Sequence, residues 1–393
     1  MRPEAVLLLC CARTCLDAAN AARLRTVLQH DLDWPWLLHT ALQHGVMPLL
    51  YRNPCAVGPE AVPHTVLAQL KGLFHANALH SRWLAAELCT LVQMLTAHEI
   101  PAIPYKGPVL AAMVYGDVAL RQSGDLDLVV PKRDLLRAKE LLMTQGYQPW
   151  VAMTEAQERL HLQTRYFYNM VHPTTGVVVD FHWTFTSRHW PFPIDLGRLW
   201  RERERVPLAD TQVPSFRPED VLLLCAHGAK HHWARLGWIC DIAELLRVYP
   251  GLDWDWLLME AHRLGALRIL LLGLCLPQTL LGTTLPAEVM PHLEANAVVR
   301  ALAAQVRGRL LRAADEPGST VADYLFSLRM RERWQDRVPY VLFFLPGYLR
   351  QVVTPNEHDH ALLPLSRPFT FLSYGVRPVR LMGRYGWPAV KHL

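Results

Sequence analysis

Asp125-Leu126-Asp127-Leu128-Val129-Val130 is the stretch on which the reading of this chain turns. On a strand, successive side chains face opposite sides. Asp125 and Asp127 therefore share one face, and Leu126, Leu128 and Val130 share the other. The apolar face belongs to a core. The acidic face carries two carboxylates that repel each other unless a cation sits between them, and Mg²⁺, which takes oxygen ligands from carboxylates and phosphates, meets that need. A second apolar run, Val177-Val178-Val179-Asp180-Phe181-His182-Trp183, sets Val178, Asp180 and His182 on one face. If the two strands lie side by side, Asp180 joins the first pair, and three such carboxylates suit a two-metal transfer.

The neighbouring segments complete a small α/β unit over roughly residues 100 to 185. Ile100-Pro101-Ala102-Ile103-Pro104-Tyr105 is extended, because two prolines forbid a regular helix there. Pro108 to Tyr115 reads as a short helix with proline in its first turn. Leu126 to Val130 reads as a strand, and Pro131 to Gln145 as an amphipathic helix closed by Gly146. Tyr166 to Val171 and Val177 to Trp183 read as strands joined by the turn-forming run Pro173-Thr174-Thr175-Gly176. Upstream, Gly107 lets backbone approach a phosphate, and the helix that follows favours negative charge at its start. Lys106 and Arg121 are then candidate triphosphate contacts, with Ser123 adding a hydroxyl.

On either side of this unit the chain repeats itself. Pro3-Glu4-Ala5-Val6-Leu7-Leu8-Leu9-Cys10 matches Pro218-Glu219-Asp220-Val221-Leu222-Leu223-Leu224-Cys225. Leu32-Asp33-Trp34-Pro35-Trp36-Leu37-Leu38 matches Leu252-Asp253-Trp254-Asp255-Trp256-Leu257-Leu258, and Ala41 and Gly45 answer to Ala261 and Gly265. The offset is 215 residues in the first pair and 220 in the second, so a short insertion aligns both. In each copy an Asp before Trp-x-Trp-Leu-Leu is placed to cap a helix with apolar residues at intervals of three and four. Helical spacing continues through Leu67, Leu70, Leu73, Leu84, Leu88 and Leu91. The expected architecture is α+β. A helical subdomain covers 1–98, an α/β core 99–215, a second helical subdomain 216–350, and a basic tail 351–393.

The 393 residues are 51% hydrophobic and 19% charged, which supplies a sizeable core and leaves no low-complexity linker. Of the net charge of +5, much gathers at the end. From His360 onward there is no Asp or Glu, while Arg367, Arg377, Arg380, Arg384 and Lys391 are present. Such a tail suits phosphate, nucleic acid or an anionic membrane, although a solvated or internally paired tail is the favoured reading. The eight cysteines form no Cys-x-x-Cys pair and lie mostly in apolar runs, as small hydrophobes do. With no signal-peptide pattern in Met1 to Arg13, a reduced, cytoplasmic protein is expected. Ile269 to Leu285 lacks charge, but Pro277 interrupts it at a length that barely spans a bilayer. It reads as a buried helix followed by a turn.

Two other clusters call for weighing. His227 and His231 stand four apart, a spacing that can hold zinc, but no Glu follows His227 and no further ligand accompanies them. Lys230, His231 and Arg235 are better placed at the cleft, against nucleotide or acceptor, with Asp241 capping or pairing locally. His358-Asp359-His360 follows Pro355-Asn356-Glu357 and reads as a solvated turn. No Gly-x-Ser-x-Gly, Walker loop or dinucleotide fingerprint is present.

Tyr105-Lys106-Gly107, Tyr115-Gly116-Asp117, Arg121 and Ser123-Gly124-Asp125-Leu126-Asp127-Leu128-Val129-Val130 together resemble a motif block. It is that of a largely uncharacterised bacterial nucleotidyltransferase family in the DNA polymerase beta-like superfamily. The similarity extends to Gly146-Tyr147, to Asp180-Phe181-His182-Trp183, and to His227 through Leu246 with Asp241-Ile242-Ala243. Trp-x-Trp-Leu-Leu, His44-Gly45-Val46, Leu363-Pro364 and Arg377-Pro378 fit it as well. The resemblance implies a small mixed-sheet core with flanking helices. It implies two Mg²⁺ ions, or Mn²⁺, held by Asp125, Asp127 and Asp180, with an NTP such as ATP as donor of a nucleotidyl group to a hydroxyl. Members accompany clusters for modified peptides or surface polysaccharides, so a biosynthetic partner protein is a further expectation. One departure is plain: the superfamily opens its helix with Gly-Ser, and this chain has Lys106-Gly107-Pro108.

Two other functions use the same motif. A sugar transferase also binds metal and a nucleotide sugar through Asp-x-Asp, but it expects βα units before the motif, where this chain reads as helical. A nucleotide-binding partner without turnover is opposed by retention of all three Asp residues. The acceptor is open between peptide, protein, RNA and small molecule.

Overall fold

A five-stranded sheet organises the centre of the chain. The computed structural model describes residues 2–185, 194–310 and 320–353. The strands are β1 (Ile103–Pro104), β2 (Leu126–Val129), β3 (Gln148–Pro149), β4 (Phe167–Val171) and β5 (Val178–His182), in the spatial order β1-β2-β5-β4-β3. β2 and β5 run parallel and the other pairs antiparallel, so the sheet is mixed. A parallel pair needs a long crossover, and the chain between β2 and β5 provides it through the helix Leu135–Thr144 and the strands β3 and β4. A hairpin of β6 (Glu204–Leu208) and β7 (Thr211–Ser215) follows.

Alternation decides what each face carries. Leu126, Leu128, Val179, Phe181, Tyr168 and Met170 are fully buried on one face. They pack with Leu84, Leu88, Leu91 and Leu95 of the long helix His64–Ala97 and with Leu135, Ala138 and Leu142. Each such side chain contributes about 1.5–3 kcal/mol. The opposite face carries the acidic residues, and the register sets Asp127 directly beside Asp180.

The repeated segments fold alike. Asp33 accepts a hydrogen bond from the Trp36 N–H at 3.0 Å, and Asp253 accepts one from the Trp256 N–H at 2.9 Å. The capped helices, Trp34–His44 and Trp254–Leu264, both stop at a left-handed glycine, Gly45 at φ 72° and Gly265 at φ 69°. The next N–H turns back on Ala41 in one copy and Ala261 in the other. The copies also interlock. A Cβ on Gly237 would lie 2.9 Å from the His44 carbonyl oxygen, so only glycine allows that approach. Leu37, Leu50, Ile239, Leu271 and Leu274 belong to one continuous core that joins the two copies.

The expected buried helix followed by a turn is present, but Pro277 does not interrupt it. It runs from Leu267 through Pro277 to Leu281 and ends at Gly282, φ 71°. Proline removes one backbone hydrogen bond, but burial of Leu274, Leu276, Leu280 and Leu281 carries the helix past it. Among the described residues no helix is long and apolar enough to cross a membrane. The first compact unit reaches Glu332; the second begins at Arg333, and its described part is the helix Trp334–Val353. The basic tail from 354 onward, with His358-Asp359-His360, lies outside the described residues.

Candidate active site

Asp127 is buried at the middle of the acidic face. Its Oδ1 accepts from the Lys106 Nζ at 2.9 Å and faces the His182 Nε2 at 2.9 Å. Asp180, opposite Asp127 in the register, accepts from the Asn169 side-chain amide across β4. Ligand atoms of Asp127, Asp180 and His182 all lie within 4.8 Å of one another, a spacing able to hold a metal ion. Asp125 stands two residues before Asp127, just ahead of β2, and is not part of that group of three.

The charges are unevenly matched. Burial pushes the Asp127 carboxyl up, but Lys106 and then His182 outweigh it and hold it well below the usual carboxylate range. Asp125 is raised by burial and then by the charge of Asp127. Asp180 is raised by burial and by Asp127, with the Asn169 bond working the other way. Among the described residues neither Asp125 nor Asp180 has an ion-pair partner, while Asp127 has Lys106. Clustered carboxylate oxygens short of positive charge, with an imidazole beside them, are a donor set that fits a hard divalent cation.

The loop ahead of Asp125 is held from behind. Gly107 has φ 56°, and a Cβ there would lie 3.2 Å from the Asp125 carbonyl oxygen, so a side chain at this position would both strain the backbone and crowd Asp125. Arg121, expected as a triphosphate contact, is engaged by the protein's own groups. Its Nε and Nη2 donate to Asp241 Oδ1 and Oδ2 at 2.8 and 2.9 Å, and its Nη1 donates to the Ser123 hydroxyl at 3.1 Å. Asp241 in turn does not pair locally, because a buried carboxylate is best matched by the planar guanidinium that reaches it from a distant segment.

Lys230 and His231 come to the same side of the sheet. The Lys230 ammonium lies 4.9 Å above the Tyr166 ring, and Tyr166 tilts against His182 at 6.4 Å between centroids. The His231 ring lies 4.8 Å from that of His227, whose Nδ1 is 3.5 Å from the Lys106 Nζ. Burial and then Lys106 hold His227 well below the usual histidine range. Burial and then Lys230 draw His231 down to about 4.

A family model of uncharacterised nucleotidyltransferases matches residues 30–282, well over half of the chain. The chain belongs to that family. No curated protein matches it. The match covers the Asp33 and Asp253 helices as well as the sheet, and it begins after the helices Pro3–Cys11 and Ala18–Leu28 of the first copy. Three residues beside the acidic face carry no role legible from sequence alone: His182, His227 and Asn169. His182 shares a face with Asp180 by simple alternation, and Asn169 lies opposite Asp180 in the register. His227 was visible only as one half of a rejected zinc pair.

Proposed function

We propose that this protein moves a nucleotidyl group from an NTP, ATP by preference, to a hydroxyl of an acceptor. Two Mg²⁺ ions, replaceable by Mn²⁺, would be held by Asp125, Asp127 and Asp180. The observation that carries this reading is the parallel register of Asp127 beside Asp180, where Asp125 and Asp180 lack ion-pair partners among the described residues. Bound there, the ions supply charge neutralisation to the phosphates and activate the acceptor hydroxyl.

The chain's own residues do the positioning. Lys106 keeps Asp127 ionised and brings an ammonium to the phosphates. Gly107 keeps the Lys106 segment against the acidic strand, and Lys230 and His231 line the nucleotide side. Arg121 acts one step back, fixing Ser123 and the loop through Asp241. Asp180, steadied by Asn169, orients the acceptor hydroxyl and takes its proton. The hydroxyl oxygen bonds to the α-phosphorus as the bond to pyrophosphate breaks, in line. The eight free cysteines accord with a cytoplasmic setting, and a partner from a peptide or polysaccharide cluster is the acceptor's expected source.

Helices fill Pro3 to Ala97 ahead of the motif, which disfavours a nucleotide-sugar transferase. The test is incubation with each labelled NTP, Mg²⁺ and lysate. Label from the α-position, but not the γ-position, is expected on an acceptor, and Asp127→Ala or Asp180→Ala is expected to reduce transfer by at least ~10²-fold. Undiminished transfer by either variant sinks the assignment. Binding without transfer favours the non-catalytic partner.

A further inference from the structure

The two helical copies differ in the segment that approaches Lys106. In the first, the helix Pro3–Cys11 ends and residues 12–17 lead to Ala18–Leu28. In the second, the turn Pro218–Asp220 and the helix Val221–Lys230 are followed by 231–235 and then Leu236–Val248. With Pro3 to Cys10 aligned on Pro218 to Cys225, Cys11 falls at Ala226, and the second helix runs on through His227, Gly228, Ala229 and Lys230. Three of the five residues by which the offset grows therefore fall at this extension, which starts at His227, and the other two in Leu236–Val248, 13 residues long against 11 for Ala18–Leu28.

This extension is held by dedicated packing. His232 and Trp233 both adopt left-handed backbone, φ 53° and 54°, which non-glycine residues keep only where their surroundings impose it. Trp233 is wholly buried, and its N–H returns to the Gly228 carbonyl at 2.8 Å. A Cβ on Gly228 would come within 2.5 Å of its indole, and one on Gly273 within 3.3 Å. The first copy closes its link differently. Asn53, at the position of Gly273, donates to the Cys11 and Arg13 carbonyls at 2.7 and 2.8 Å.

The extension delivers His227 to Lys106, the lysine that holds Asp127, at 3.5 Å. The His227 ring rests edge-to-face on Trp238 at 5.1 Å between centroids, and His231 lies beside it. Facing an ammonium, Nδ1 is the acceptor, which puts the imidazole proton on Nε2. Nε2 has no hydrogen-bond partner among the described residues. We infer that this extension is a nucleotide-binding element in which the Nε2–H of His227 donates directly to the triphosphate. The inference rests on the NTP-transfer reading and adds a contact to it.

The test measures binding of mant-ATP with Mg²⁺ to the full chain and to His227→Gln, His227→Asn, His227→Ala and Asp127→Ala, with unfolding midpoints recorded for each. Gln carries an amide near the place of Nε2, and Asn carries one near Nδ1. His227→Gln is expected to bind within about 3-fold of the natural protein, and Asn and Ala to bind roughly 10- to 100-fold more weakly. A merely structural histidine would not separate Gln from Asn in affinity at matched midpoints. Equal affinity in all three His227 variants overturns the inference while leaving the nucleotide reading intact. Absence of binding by the natural protein, or binding indifferent to Asp127→Ala, overturns that reading and this inference with it.

Discussion

Arg121 and Asp241 meet through two parallel hydrogen bonds of 2.8 and 2.9 Å, across 120 residues of chain. The Tyr115 hydroxyl donates a third bond to Asp241 at 2.8 Å. Burial disfavours the Arg121 charge, but Asp241 more than offsets it and raises the arginine's pKa. The pair ties the loop ahead of Asp125 to the second-copy helix Leu236–Val248. The helical repeat thus braces the acidic strand as well as flanking it.

Both members are buried, so losing one leaves the other charge without its match. Asp241→Ala is expected to cost about 3–5 kcal/mol of stability. The double replacement Arg121→Met with Asp241→Leu is expected to cost clearly less than the two single losses together, because no lone charge remains. Urea unfolding of the set measures both. Strict additivity would show that the two groups act independently.

The duplicated caps allow a paired comparison. Asp33→Ala and Asp253→Ala each remove one bond to a helix N–H, and each is expected to lower stability by about 1 kcal/mol. Denaturant midpoints read the effect. A large cost at one position and none at the other would mean that the copies do not share a capping role.

Those caps were legible because a cap is local: Asp, then Trp-x-Trp-Leu-Leu, then glycine eleven positions past Trp34 in one copy and past Trp254 in the other. The acidic face of β2 was legible for the same reason, since strand alternation needs only neighbours in sequence. Pairing is a different kind of fact. That β2 lies parallel to β5, with Asp127 beside Asp180, depends on a crossover that no short window contains. Arg121 shows the same limit, for its partner lies 120 residues away and nothing near it in sequence marks the match. Pro277 failed as a stop signal because the penalty for proline is local while the burial that overcomes it is not.

His44 predicts a pH dependence. Its Nε2 faces the Leu310 carbonyl at 3.2 Å, and its Nδ1 accepts from the Leu236 N–H at 3.4 Å, which requires the neutral ring. Its pKa is lowered by burial and then by Arg235. The unfolded chain therefore takes up the proton first, near about pH 6.5. The stability this ring contributes is present above that pH and is lost as the pH falls below it. His231, drawn down to about 4, acts in the same direction over the interval down to that value. His44→Gln is expected to flatten the decline of the unfolding midpoint on acidification; an unchanged slope would remove His44 as a cause.

Divalent cations should stabilise the protein before any substrate is added. Asp125 and Asp180 are raised by burial and by the charge of Asp127, so without a cation the acidic face stores repulsion. A cation bound there removes the repulsion and favours the folded state by mass action, by about 2.7 kcal/mol at a concentration 100-fold above its Kd. Thermal unfolding in Mg²⁺ against EDTA measures this, and Asp180→Ala is expected to abolish most of the shift. Lys106→Met makes the argument sharper. It removes the ammonium at Asp127, so it should lower stability more in EDTA than in saturating Mg²⁺, where the cation takes over part of the neutralisation. If Asp180→Ala kept the full Mg²⁺ response, the ion would be binding elsewhere, and the pairing of Asp127 with Asp180 would need another explanation.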